Sequence, residues 1–327
     1  MEEYQIKTKV VGVDISNEST TYAIVDIRGN ILAEEYFLTS DYPDVNNFVT
    51  ALSDKIVTLV EANGGYETIR SIGVSSPSAS SVSGCIENAA NLPWKGIVPL
   101  SAMLRDRIGL AVGLSNDAHV SALGEFTFGC AHGMKNFIIL SLGVGIGSCF
   151  FSAGDDHTGH NGYAGEFGHT CIVNKNGRAC GCGHTGCLES YVGAAGIVNT
   201  AKELMAESDA PTLMRNLEKL SPRTIKECCD QGDEMAIEVY RRTGEMLGLG
   251  LANYASLVDP EAIILTGGIS HAGKWLLEPT CQAFEEHVFG NLRGKVKILV
   301  SKLEDRERDV LGASALAWSV PEYSLFK

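Results

Sequence analysis

The chain has 327 residues, 45% of them hydrophobic and 20% charged, and a formal net charge of -14. That length exceeds one compact domain, so two are expected, and so acidic a surface disfavours direct nucleic-acid binding. No basic run offsets the charge, MEEYQIKTKVVGVD opens without a signal-peptide apolar region, and no apolar run is long enough for a membrane span, so a cytoplasmic protein is expected.

The first segment, KVVGVDISNESTTYAIVDIRGNILAEEYF (9–37), reads as three strands separated by polar and glycine turns. An amphipathic helix near 46–62, a strand over 69–75 and a helix near 100–108 follow. A strand over 111–115 and a helix near 117–127 come next. NFIILSLGVGIGSCFFSAGDDHTG (136–159) then repeats the outline of the first segment. Helices between 189 and 257, a strand over 261–266, a helix near 274–288, a strand over 296–300 and a final helix near 309–319 complete the chain. Strands alternating with helices give mixed sheets covered on their faces, and two such units would enclose a cleft. The expected division is a small N-terminal α/β domain over 1–116, joined by the C-terminal helix from about 309 to 327, and a larger one over 117–308.

Three of the ten cysteines fall within eight positions of NGRACGCGHTGCLES (176–190). Cys85, Cys130, Cys149, Cys171, Cys228, Cys229 and Cys281 are scattered and read mostly as small buried hydrophobes. Cys180, Cys182 and Cys187 cannot share one helix face, and Gly181, Gly183 and Gly186 allow turns that bring the sulfurs together. Zinc takes four ligands, and Cys3His is a common structural set. His169 is the first candidate for the fourth ligand and His184 its rival. A structural zinc is expected.

Polar residues gather around this knot. Asn116 and Asp117 end a strand and start a helix, where Asp117 fits either an N-cap or a general base. Glu166 and His169 lie in HNGYAGEFGHT, Glu189 two residues after Cys187, and Asn91 beside the turn in ENAANLPWKG. Carboxylates and amides without evident basic partners suit a neutral polyhydroxylated ligand. LSLGVGIGS holds Gly143, Gly145 and Gly147, whose backbone amides could cradle phosphate or simply make a bend. Gly267 and Gly268 end the strand IILTGGIS, consistent with a close ligand or an ordinary turn.

These segments resemble the ROK family of bacterial sugar kinases and sugar-responsive repressors over nearly the whole chain. GYAGEFGHTCIV with CGCGHTGCLE resembles the family signature, NDAHVSALGE its catalytic segment, and NLPW its sugar-contacting loop. The resemblance implies an actin-like, hexokinase-like pair of domains. It also implies that Asp117 is the base for a sugar hydroxyl, with Asn91, Asn116, Glu166, His169 and Glu189 holding the sugar. His169, Cys180, Cys182 and Cys187 would bind zinc. ATP with Mg2+ would meet Asp14, Gly143, Gly145, Gly147, Gly267 and Gly268, and a homodimer or homotetramer is expected.

Two departures bear on ATP. Family kinases usually carry Asp-x-Gly-Gly-Thr in the first hairpin, where this chain has Asp14, Ile15, Ser16, Asn17 and Glu18. The usual Leu-Gly-Thr-Gly of the second hairpin is Leu142, Gly143, Val144, Gly145. Both changes resemble the repressor branch, yet no helix-turn-helix is expected ahead of the first hairpin. The first reading is an ATP-dependent hexose kinase acting at the 6-hydroxyl of glucose or a close relative. The alternative is a sugar-binding sensor without catalysis.

Overall fold

Apolar alternation builds the first hairpins of both halves, and a computed structural model describes residues 6–321 except Ala90 and Asn161. In chain order come β1 (Lys9–Ile15), β2 (Ser19–Asp26), β3 (Ile31–Leu38), α1 (Val45–Ala62) and β4 (Ile69–Ser75). The short β5 (Ala79–Ser80), β6 (Cys85–Glu87) and β7 (Ile97–Val98) precede α2 (Leu100–Ile108), β8 (Ala111–Ser115) and α3 (Asp117–Phe128). Next are β9 (Phe137–Leu142), β10 (Ile146–Ser152), β11 (Asp155–Asp156), α4 (Glu189–Val192) and α5 (Ala194–Glu207). The chain continues through α6 (Pro222–Asp230), α7 (Glu234–Val258), β12 (Ala262–Thr266), α8 (Lys274–His287), β13 (Lys297–Val300) and α9 (Asp305–Ser319). The three short strands escape sequence reading, because two or three residues show no period.

Contacts divide the chain between His132 and Gly133, and the residues from Lys302 onward return to the first unit. The expected division stood at 116/117, and α3 lies in the first unit with α9 packed against it. Each unit carries a five-stranded mixed sheet. The first has the order β3-β2-β1-β4-β8 and the second β11-β10-β9-β12-β13. In both, the first three strands in sequence form an antiparallel meander and the last two join in parallel. The repeat seen in the sequence is thus a repeat of topology.

In the second unit, Ile138, Leu140, Ile263 and Leu265 join α5, α6, α7 and α8 in one buried cluster. Helices α7 and α8 approach closely because Gly244 and Gly248 stand where a Cβ would meet Leu276 O at 2.9 Å and Thr280 O at 2.5 Å. In the first unit, Val11, Val13 and Ile15 of β1 face α1 and α2. Val10 faces the other way, towards Val310, Leu311 and Ala317 of α9.

That second face of the sheet is a row of glycines. Gly12 pairs with Gly73, and Gly73 with Gly113, across β1, β4 and β8. The backbone of α9 lies directly on the first two: a Cβ at Gly12 would stand 2.5 Å from Val310 O, and one at Gly73 1.9 Å from Ala313 O, while Gly113 faces the Leu316 and Val320 side chains. Ser71 Oγ donates to Ala317 O at 2.7 Å, closing the same contact. A side chain at Gly73 has no room unless helix and sheet separate. Gly73→Ala should therefore cost ~3 kcal/mol or more of stability. Gly290→Ala, whose Cβ would meet nothing within 4 Å, should change stability by less than ~0.5 kcal/mol. Equal urea midpoints for the two variants would contradict this account of the α9 contact.

Candidate active site

Asp117 and Asn116 follow β8. Asn116 is the N-cap of α3, its side chain accepting from Ala118 N at 2.9 Å, and Asp117 is the first helical residue. Asn116 thus takes the N-cap position, and the Asp117 carboxyl shares the same amide, its Oδ1 accepting from Ala118 N at 2.8 Å. Solvent reaches Asp117, but desolvation by the surrounding protein raises its pKa above the usual carboxylate value, partly offset by the Ala118 amide and His119. Asn91 is exposed at the head of NLPW, while Leu92 and Trp94 anchor that loop. The Trp94 ring lies 4.3 Å from Phe48, and its Nε1 donates to Tyr42 O at 3.0 Å.

Asp14 is half-buried near the end of β1. Burial first, and the charge of Asp117 further, lift its pKa to about 6, while Ser75 and, less strongly, Arg308 of α9 pull it down. Arg308, which the sequence reading passed over, is 4% exposed. The first hairpin turns without glycine: Ser16 Oγ donates to Ser19 O at 2.9 Å and accepts from Ser19 N at 3.1 Å. Asn17 and Glu18 are exposed.

In the second unit the thiols and imidazole do converge. Cys180 Sγ lies 3.6 Å from His169 Nδ1 and Cys182 Sγ 3.7 Å from Cys187 Sγ. The ligand atoms of all four residues fall within 4.8 Å of one another. A zinc tetrahedron with Zn–S of ~2.3 Å and Zn–N of ~2.0–2.1 Å has S···S edges of ~3.8 Å and S···N edges of ~3.6 Å. The donor set fits. His169, not His184, completes it among the described residues, and its Nδ1 faces the sulfurs, leaving Nε2 for another partner.

Arg178 fastens this loop, and the sequence reading missed it. Its guanidinium reaches Glu203 at 2.5 Å, Thr200 Oγ1 at 3.0 Å and the carbonyls of Ser190 and Gly196, over the Tyr191 ring. Its position two residues before Cys180 was the available signal. Glu166, exposed, stands just before the short turn Phe167–His169, which is held where Phe167 stacks 4.1 Å from Tyr254. Glu189 begins α4, its Oε1 3.8 Å from Cys180 Sγ and its Oε2 accepting from Ile146 N at 2.8 Å. Of the scattered cysteines, Cys149, Cys228 and Cys229 are buried as expected; Cys171 is exposed and the other three are intermediate.

The glycines separate into two kinds. Gly143 and Gly268 face open space and line one cavity of about 610 Å³ with Ser221, Pro222, Tyr240 and His271. The Ser221 capping box and Pro222 start α6 at its wall, and Tyr240 donates to Pro222 O at 2.8 Å. Gly145 and Gly267 have local reasons instead: a Cβ would meet Glu189 Oε2 at 2.5 Å or Leu142 O at 2.6 Å. Gly267 also needs its φ of +81°. Gly147 pairs with Ser141 inside the β9–β10 ladder.

The Asp14 shift fixes a sign. Its folded pKa of about 6 exceeds the ordinary 3.8, so folding favours the protonated acid. That stabilisation is complete below about 3.8 and is lost as pH rises through about 6. Roughly two pKa units correspond to ~2–3 kcal/mol. Asp14→Asn should therefore raise stability at pH 7.5, leave it nearly unchanged at pH 4, and flatten the profile between. Urea melts across that range check it.

The ROK family model matches residues 10–320. The chain is 32% identical to a glucokinase of Streptomyces coelicolor over 94% of this chain and 96% of the relative. It is 29% identical to a xylose repressor of Caldicellulosiruptor bescii, over 96% of this chain and 80% of the repressor. A crystal structure of a ROK family glucokinase from Streptomyces griseus in complex with glucose and AMPPNP superposes with a TM-score of 0.77 at 29% identity, covering 95% and 100% of the two chains. The expected actin-like α/β fold with mixed sheets is the fold observed. The chain belongs to the ROK family.

Proposed function

We propose that this chain is an ATP-dependent sugar kinase that phosphorylates a hexose, glucose or a close relative, at the 6-hydroxyl. The observation that carries the reading is Asp117: Asn116 caps α3, and Asp117 keeps a carboxyl of raised pKa. A sugar-binding protein needs no proton acceptor there; a kinase does. Asp117 takes the hydroxyl proton as the oxygen attacks the γ-phosphoryl group, and the bond from that phosphorus to the β-phosphate oxygen breaks to release ADP. Asn91, Asn116, Glu166, Glu189 and the Nε2 of His169 hold the sugar. The cavity of Gly143 and Gly268 takes the nucleotide, and the glycines admit it because nothing occupies the space a Cβ would fill. Mg2+ supplies charge neutralisation on the phosphates, and Asp14 offers it an oxygen donor. Zinc on His169, Cys180, Cys182 and Cys187 supplies structure, fixing the His169 ring.

The first hairpin favours a second reading, a sugar sensor that does not turn over ATP. Glu18 is exposed where family kinases carry threonine, and its charge would repel phosphate by ~1 kcal/mol or more. The identity to a xylose repressor supports that reading too.

A coupled ADP-release assay over a panel of hexoses separates the two. Turnover is expected, and its absence with every sugar and Mg2+-ATP would leave the sensor. Asp117→Asn should lower kcat by about 100- to 10,000-fold with sugar affinity nearly intact; a variant near wild-type activity would remove Asp117 from the mechanism. Elemental analysis of protein purified without chelator should find one zinc per chain. Cys182→Ala should lose that metal and destabilise the second unit, and zinc-free wild type of full stability would refute the assignment.

A further inference from the structure

Glu189 is proposed above as a sugar ligand, but one of its oxygens is already engaged on another element. Oε2 accepts from Ile146 N at 2.8 Å, at the point where the β9–β10 hairpin re-enters its ladder. Gly145, one residue earlier, has its Cβ position 2.5 Å from that same oxygen. Its φ lies outside the left-handed region, so the reason for glycine there is the carboxylate and not the backbone. The other side of the turn is tied to the same element: Ala194 N donates to Gly143 O at 3.0 Å, and Gly193 packs against both Glu189 O and Val144 O. Gly143 in turn lines the 610 Å³ cavity.

We infer that Glu189 is a positioning residue for the second glycine hairpin: seated against Gly145, its carboxylate holds the Ile146 amide and so sets the wall of the nucleotide cavity. The hairpin residues Gly143, Val144 and Gly145 carry no side chain that anchors them; Val144 is 90% exposed. Within the turn Gly143 N donates to Gly145 O at 3.0 Å, and two bonds tie the turn to its surroundings: Ala194 N to Gly143 O, and Ile146 N to the Glu189 carboxylate. Glu189 Oε1 lies 3.8 Å from Cys180 Sγ, so the same carboxylate borders the thiol and imidazole cluster on one side and the hairpin on the other. A sugar hydroxyl bound to Glu189 and a nucleotide in the cavity would act on one group. Binding of either must then change the affinity for the other by the same factor.

The inference rests on the nucleotide reading of the cavity, and the test separates the two. Gly145→Ala is a fitting variant, because its methyl displaces the mobile end of a side chain and not backbone. Zinc-replete wild type, Gly145→Ala, Glu189→Ala, Glu189→Gln and the Gly145→Ala/Glu189→Ala double variant are compared by amide hydrogen exchange over 141–147 without ligand, and by calorimetry with Mg2+-ATP and with glucose separately. Gly145→Ala and Glu189→Ala should each speed exchange of the Ile146 amide about tenfold or more and weaken ATP binding by a similar factor. The double variant should be no worse than the poorer single one, since both remove one contact. Glu189→Gln keeps a carbonyl acceptor, so Ile146 protection and ATP affinity should stay within about threefold of wild type while glucose binding falls. Unchanged Ile146 exchange in Glu189→Ala, or losses that add in the double variant, would overturn the inference. If wild type binds no ATP, the nucleotide reading fails, and hydrogen exchange still decides the role of Glu189.

Discussion

Four donor atoms within 4.8 Å, from residues eighteen positions apart in sequence at the extremes (169 and 187), are the constraint on which the second unit's polar site depends. The spacings of the three thiols and the imidazole match the edges of a zinc tetrahedron, and sulfur by itself makes only weak hydrogen bonds. Convergence fixes both ends of a glycine-rich loop, and Arg178 fixes its middle on α5. Glu166 and His169 then enter the loop three residues apart, and Glu189 leaves it two residues after Cys187. Their geometry is inherited from the cluster and not from any helix or strand of length.

Close backbone approach is the second constraint, and both units meet it with glycine. Gly12, Gly73 and Gly113 let α9 lie on the first sheet; Gly244 and Gly248 let α8 lie on α7. The consequence in the first unit is electrostatic. Because α9 is pressed onto β1 and β4, the Arg308 at its first turns can act on Asp14 and moderate the repulsion from Asp117. Packing and charge are coupled through one helix.

Long elements were legible in the sequence, because α1 and the hairpin strands carry periods over enough residues to read, whereas α4 to α7 were read only as helices between 189 and 257. The start of α9 was not. DRER breaks the apolar pattern, so the sequence reading began the helix at 309, while the chain turns helical at Asp305. The glycine row was visible but unread: VVGVD, SIGVS and AVGLS each place one glycine at the centre of a strand. Only the strand register shows that the three align. The convergence of His169 with Cys180, Cys182 and Cys187 was legible, since their residue types are few and the cysteine spacing is short. The glycines of the nucleotide candidates were not separable by sequence. Gly143 and Gly145 sit two apart in one turn, yet one faces a cavity and the other a carboxylate. What stands opposite a glycine is a tertiary fact.

The repeated topology makes the two turns comparable. In each unit the parallel strands point their carboxyl ends towards the candidate residues: Asp14 near the end of β1 and Asp117 just past β8, Gly143 just past β9 and Gly268 just past β12. Strand ends of this kind are where open α/β sheets bind ligands. The chemistry placed there differs. The first unit offers two acids, half-buried Asp14 and solvent-reached Asp117, whose pKa values are raised chiefly by desolvation. The second offers neutral backbone beside an open cavity. On charge alone, the second would accept an anion without help, whereas the first would need a cation to offset both carboxylates. The first turn reflects this. Ser16 closes it with its own hydroxyl, so the turn needs neither glycine nor an anion to hold its shape. An exposed Glu18 costs such a turn nothing structurally, which is how a hairpin can depart from its family's phosphate-binding pattern while β1 and Asp14 stay in place.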